Sequence, residues 1–334
     1  MNKKNDKFHL TVDEERNMKD FYSVDALINE LRNAEDIPLS FNANEISFAE
    51  KFFTYTNYYS FSIYRKQLPS NAGIDYSFSD CMELYRFNYF LRESLNKFTG
   101  HVELMLKATF VKSLCQNYSG SLQTGECYLD QEIYVSKEAF SEVIEILEHR
   151  IVESKSLPIK HHIENKHGKI PLWVLMPELT FGETTGLLSS MKEGIKKQWI
   201  EDSFLSTNRV NSKVHGEELQ SKMFSWFSAA WYLRNRCAHY ARLYGCNFNS
   251  GMPSFFSEDM RKLKLQGKKK THNRDLFAYM LAIKNLLIFH SLEVQAEWNT
   301  FLTGIDSAFK NKPSIIIPMK IGFTDNWKEL LIID

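Results

Sequence analysis

The chain has 334 residues, 43% apolar and 25% charged, with only 14 Gly and 8 Pro. That is globular composition, enough for one large domain or two ordinary ones, and it excludes a disordered or loop-rich chain. Formal charge balances, with 41 Lys and Arg against 41 Asp and Glu, which excludes a whole-surface polyanion binder and confines any nucleic-acid contact to a local patch.

Five cysteines (Cys81, Cys115, Cys127, Cys237 and Cys246) include no CxxC pair and read as reduced thiols. The opening MNKKNDKFHLTVDEERN lacks the apolar core of a signal peptide. The longest apolar run, FAYMLAIKNLLIF (277–289), is cut by Lys284 and too short to span a bilayer. The expectation is a cytoplasmic protein with no membrane partner.

Taken in chain order, residues 1–20 are polar, and SVDALINELRNA (23–34) has helical spacing behind a capping Ser or Asp. A helical segment is expected over 46–68. After the loop LPSNAGIDYS, a long helix is expected over 78–114, with apolar residues recurring every three or four positions from Leu84 to Leu106. A loop follows over 115–135, then a well-capped helix over 136–155. Residues 158–173 read as irregular and polar. Helices are expected over 176–200, over 216–245 with Gly245 as C-cap, and over 273–309. The tail is punctuated by Pro, with room for one short strand. With no repeats and no βαβ alternation, the fold class is all-α.

One segment carries unusual chemistry. WYLRNRCAHYARLYG (231–245) sets Arg234, Asn235, His239 and Arg242 in an apolar, aromatic context with no Asp or Glu. On a continuous helix these four fall within an arc of about 140°, opposite a core stripe of Trp226, Ala229, Ala230, Leu233, Cys237, Tyr240 and Tyr244. The plain reading is a polar surface face. The sharper reading is an anion site. Arg offers a planar fork for phosphate, His exchanges protons near neutral pH, and Asn can orient the imidazole. The basic block RKLKLQGKKKTHNR (261–274) is a solvated loop or a phosphate-backbone contact. His161, His162 and His167 lack the spacing of a zinc site, and there is no P-loop, GxGxxG or GxSxG.

RNRCAH matches the R-x4-H signature of the HEPN superfamily of RNases and RNA-binding proteins. The wider LRNRCAHYARLYG resembles the Abi family of abortive-infection proteins, of the AbiD/AbiF type. NYYSFSIY (57–64), LYRFNYFLRESLNKFTGHVELMLKA (84–108), PLWVLMPELTFGETTGLL (171–188) and KIGFTDNWKELLI (320–332) resemble that family's other blocks, in its order. The departures are Asn88 where Asp is usual, Gly100 where Ile is usual, Tyr240 where a second His is common, and Pro177 inside the tryptophan block.

The resemblance implies a helical bundle of HEPN type: a polar tail (1–20), an N-terminal helical extension (21–75), a core (76–250) and a C-terminal helical region with its tail (251–334). It implies an endoribonuclease needing no metal and no other cofactor, acting as a homodimer, with RNA as substrate and an antitoxin or non-coding RNA as a further partner class. His239 would be the acid–base group, Arg234 the phosphate ligand and Asn235 the orienting group. Arg236, Arg242, Lys268, Lys269 and Lys270 would hold the RNA backbone. The alternative is a non-catalytic RNA-binding module that uses the same face to regulate a partner.

Overall fold

The computed structural model describes residues 21–70, 74–206, 212–264 and 273–334, the side chains of 212–215 excepted. The fold is all-α. Its strands among the described residues are two residues each, Leu39–Ser40 (β1) and Tyr76–Ser77 (β2), paired in parallel. Two compact units are formed, Met1–Tyr85 and Arg86–Asp334.

In the first unit, α1 (Val24–Arg32) starts where the Ser23 hydroxyl accepts from the Ala26 amide. The helix expected over 46–68 is two helices, α2 (Ala43–Tyr55) and α3 (Tyr58–Arg65). The break falls at Asn57, whose side-chain oxygen accepts from the Tyr59 and Ser60 amides and begins a new helix. Asn42 and Glu45 close a capping box on α2, and Glu45 also accepts from the Ser79 amide. Rings of Phe52, Phe53, Phe61, Phe78 and Tyr85 pack mainly edge to face as the core of this unit.

The long helix is present as α4 (Phe78–Asn117), and Ser77 and Asp80 satisfy each other's amides at its start. In the second unit, residues expected as a loop after α4 contain two 3-10 turns, Thr124–Leu129 and Gln131–Ile133. Helix α5 (Lys137–Glu153) is capped by Ser136, as its sequence indicates. Residues 158–173 are not irregular throughout, because α6 (Leu157–Asn165) accommodates Pro158 in its first turn, where no helical N–H is required. Beyond it stands α7 (Leu172–Leu175), with Pro177 in a following 3-10 turn.

The segment 176–200 is interrupted between α8 (Phe181–Ser189) and α9 (Glu193–Ile200). There Tyr134 and Met191 form a β-bridge, and main-chain bonds link Val135 to Ser190 and Lys192 to Ile133. After a π-helical turn (Glu201–Leu205) come α10 (Ser212–Ala238), α11 (Ser257–Lys262), α12 (Leu276–Leu287) and α13 (Leu292–Asn311). The expected 273–309 helix divides because the Gln295 amide donates to the carbonyls of Leu287, Ile288 and His290, closing α12. The tail forms a 3-10 turn (Pro318–Ile321) and α14 (Trp327–Leu331), not a strand. Its main chain bonds instead to Trp298 Nε1 and to the Asn299 side chain on α13.

Helix α12 is buried at every position but Lys284, so the apolar run singled out above is a core helix. It packs on α10, whose Leu219, Met223, Trp226, Phe227, Ala230 and Leu233 are buried. Leu91, Leu95, Phe98, Val102 and Leu106 give α4 its inward stripe. No helix of the described residues is long and apolar enough to cross a membrane.

The N-cap of α12 is Asp275, which accepts from the Ala278 amide at 2.9 Å. A β-carbon at Gly322, where φ is 83°, would collide with this carboxyl. Burial dominates over the amide bonds and lifts the Asp275 carboxyl from its ordinary 3.8 to about 6. The ionised form is thus less favourable in the folded than in the unfolded chain. Stability lost above the folded value is recovered as pH falls through it. Between about pH 7 and pH 5, wild type should gain thermal stability relative to Asp275→Asn, which keeps the cap. Parallel melting curves for the two would contradict this account.

Candidate functional site

The segment predicted to carry chemistry does not form one helix to Gly245. Helix α10 stops at Ala238. The Tyr240 amide donates to the Cys237 carbonyl at 3.1 Å, and the Ala241 amide to the Arg236 carbonyl at 2.9 Å. This is the Schellman arrangement, with His239 as C-cap and Tyr240 left-handed at φ 54°. Glycine is the usual occupant of that position. An aromatic residue there costs about 1–3 kcal/mol and persists only where its surroundings over-determine it.

Those surroundings are side chains. Buried Arg92 on α4 donates from Nη1 to the Tyr240 carbonyl at 3.1 Å, and its guanidinium carbon lies 5.3 Å from the centre of the Tyr240 ring. Four residues earlier, Asn88 is fully buried, and its Oδ1 accepts from the Leu243 and Tyr244 amides at 2.8 and 2.9 Å. Asp, usual at this position in the resembled block, could accept the same two bonds. Arg236 Nη2 donates to the Arg242 carbonyl at 2.7 Å, and Arg242 Nη1 donates to the carbonyls of Tyr244 and Gly245 at 2.6 and 3.1 Å. The Tyr244 hydroxyl accepts from the Ile317 amide at 2.8 Å. Beyond the Schellman bonds, the main chain of Tyr240 and of residues 242–245 therefore exchanges helical bonds for bonds to side chains.

The structure brings Arg234 and Asn235 together: Arg234 Nη1 donates to Asn235 Oδ1 at 3.2 Å. Arg234 Nε also lies 3.8 Å from Glu103 Oε2 on α4. Glu103 is bridged by Lys107 at 2.9 Å, and Lys107 donates to the Leu179 carbonyl at 2.5 Å. This chain of contacts fixes the Arg234 head group. His239 follows one turn later, is exposed, and holds its backbone amide on the Asn235 carbonyl at 3.0 Å. Arg236 and Arg242 brace the turn through their carbonyl bonds, and Arg236 also lies over the Phe248 ring at 5.2 Å. Lys268, Lys269 and Lys270 fall outside the described residues.

Nearby polar groups divide into support and bystanders. Glu183 caps α8 with Thr180 and takes a bidentate contact from Arg150. Burial alone would raise its carboxyl, but the Arg150 and Thr180 bonds outweigh that and hold it below the ordinary range. A β-carbon on neighbouring Gly182 would press on Trp231 Nε1 at 2.9 Å, so a residue without a side chain is what lets α8 approach α10 here. Glu178 accepts from Ser154. His162 lies on α6 with Nδ1 2.7 Å from the Lys169 carbonyl oxygen.

The sequence reading missed the contribution of α4. Asn88, Arg92, Thr99, Glu103 and Lys107 fall within an arc of about 100° on one helix, and the first three are buried. That polar stripe, at spacings of four, seven, four and four beside the apolar stripe of the same helix, was the available signal. What it lacked was the partner, more than 120 residues away in sequence for the Glu103–Arg234 contact.

A family model described as Abi-like protein matches residues 51–245, ending with the turn just described. No curated protein and no solved structure matches the chain.

The Asn88 bonds should be decisive for the turn. Asn88→Leu strands two buried amides, each worth about 1–3 kcal/mol when unsatisfied. It is expected to lower unfolding stability by about 2 kcal/mol or more in urea melts and to speed hydrogen exchange at Leu243 and Tyr244. Asn88→Asp should keep both amides protected. Unchanged exchange in Asn88→Leu would show that the turn is held by other means.

Proposed function

The chain belongs to the Abi-like protein family, and from that premise we propose that it is an abortive-infection protein of HEPN type that cleaves RNA through Arg234, Asn235 and His239. The observation that carries this reading is the end of α10. A fixed guanidinium, an amide and an exposed imidazole stand within five residues of one another, on a turn whose other arginines are bonded to carbonyls rather than carboxylates.

RNA carries its own nucleophile, the 2′-hydroxyl beside the scissile phosphate. Transesterification needs a base to remove that proton, an acid to protonate the departing 5′-oxygen, and positive charge on the phosphorane oxygens. His239 serves the proton transfers. Arg234, held by Glu103 and Asn235, meets the phosphate as a planar fork. Asn235 orients the imidazole or a phosphate oxygen. One imidazole does not readily serve both transfers at once, so a homodimer presenting His239 twice completes the mechanism. The products are a 2′,3′-cyclic phosphate and a 5′-hydroxyl, and DNA, lacking the nucleophile, is spared. In a phage-infected cell, such cleavage would halt host translation.

Purified protein incubated with total RNA in the presence of a chelator tests this directly. Wild type is expected to generate cyclic-phosphate ends. His239→Ala should cut about 10²–10⁴-fold more slowly, and Arg234→Ala should lose cleavage with unchanged folding. A His239→Ala variant as fast as wild type would remove that residue from the chemistry. Tight RNA binding by wild type without cleavage would replace the nuclease with a non-catalytic RNA-binding module.

A further inference from the structure

Two large rings stand outside the core beside this turn. Tyr240 is 74% exposed and Tyr89, on α4, is 42% exposed. Both face one guanidinium, with Arg92 Cζ lying 5.3 Å from the Tyr240 ring centre and 5.5 Å from that of Tyr89. Arg92 is itself buried and anchored on the Tyr240 carbonyl, so it is a fixed platform rather than a mobile surface charge. The neighbouring Glu93 carboxylate pushes the Tyr89 hydroxyl up from its ordinary value. Tyr240 occupies a backbone conformation that favours glycine, yet presents its ring to solvent. Core packing does not explain an exposed aromatic side chain at a strained position.

The local charge favours a polyanion. Among the described residues Arg92, Arg236 and Arg242 meet carbonyl oxygens, rings and the Cys246 sulfur, and none of the three forms an ion pair. The hydrogen bonds they do make leave their charge un-neutralised. Along α4, Arg92 and Glu103 are separated by about 16 Å. Gly100 lies between them in the chain, and a β-carbon there would meet no atom within 4 Å.

We propose that Tyr240 and Tyr89 form a stacking subsite for an unpaired nucleobase, and that the ligand of this face is single-stranded RNA. The inference rests on the ribonuclease reading for what happens at the adjoining phosphate, but not for the stacking itself. A base laid on Tyr240 brings its own ribose beside His239, the residue before it in the chain. Every base has a π-face, so the subsite tolerates sequence. A duplex keeps those faces stacked internally and cannot use it.

The test is binding of a short mixed-sequence RNA carrying 2-aminopurine, compared with the same strand annealed to its complement, with cleavage followed in parallel. Tyr240→Gly and Tyr240→Asn both suit the left-handed position and preserve the turn, which melting curves verify. Both are expected to weaken single-strand binding by about tenfold or more and to abolish 2-aminopurine quenching. Tyr240→Trp should keep both. Duplex RNA should bind weakly to every variant. Equal affinity of Tyr240→Gly and wild type for the single strand, or equal affinity of wild type for single strand and duplex, would overturn the subsite. Quenching by wild type without cleavage would retain the subsite and reject the nuclease. Cleavage with Tyr240→Gly unaltered would do the reverse.

Discussion

Two side chains on one helix decide how another helix ends. Asn88 takes the amides of Leu243 and Tyr244, and Arg92 takes the carbonyl of Tyr240. Residues 239–245 have composition that would continue a helix, and each main-chain group withdrawn from helical bonding must find another partner or incur about 1–3 kcal/mol. α4 supplies partners for three of those groups from a buried position, and Arg236 and Arg242 serve the carbonyls of Arg242, Tyr244 and Gly245. The helix therefore turns at His239, and the imidazole stands at a terminus instead of along a helical flank. A histidine midway along a helix is hemmed by neighbouring turns; at the C-cap it is exposed, next to a ring that is exposed as well.

The same bonds govern the electrostatics. Removing an arginine from water is costly unless its donors are satisfied, and carboxylates are the usual partners. Here three guanidiniums use carbonyl oxygens and aromatic faces instead. Partial negative charge compensates the donors without cancelling the formal charge. A chain with zero net charge thereby keeps three arginines without ion pairs together at one turn, among the described residues. Arg234 is the exception, since Glu103 stands 3.8 Å away. That separation is long for a tight pair and suits a positioning contact that a phosphate could supplant.

Strain and support meet at Tyr240. Its left-handed backbone is compensated by the Arg92 hydrogen bond and by the ring-to-guanidinium contact. The core behind it is a conventional one: α12 is buried nearly all round and packs on α10, and Trp226 and Leu233 lock the helix whose last turn holds Arg234. Rigid packing of α10 holds the backbone that carries Arg234 and Asn235.

Much of the architecture was legible from residue order alone. Apolar periodicity located α1, α4 and α5, the Ser23 and Ser136 caps marked two starts, and the absence of alternation excluded a sheet-based fold. Periodicity does not register breaks: those at Asn57 and Gln295 are made by single polar side chains bonding to main chain a few residues away, and those near Ser190 and at the early end of α10 are made by partners distant in sequence. The segment RNRCAH was identifiable as the chemically distinctive one, because two arginines and a histidine without acidic neighbours are conspicuous in one dimension. Tertiary structure alone decided where those groups stand. The partners that end the helix lie some 150 residues earlier in the chain, and a hydrogen bond between residues so far apart leaves no trace in local spacing.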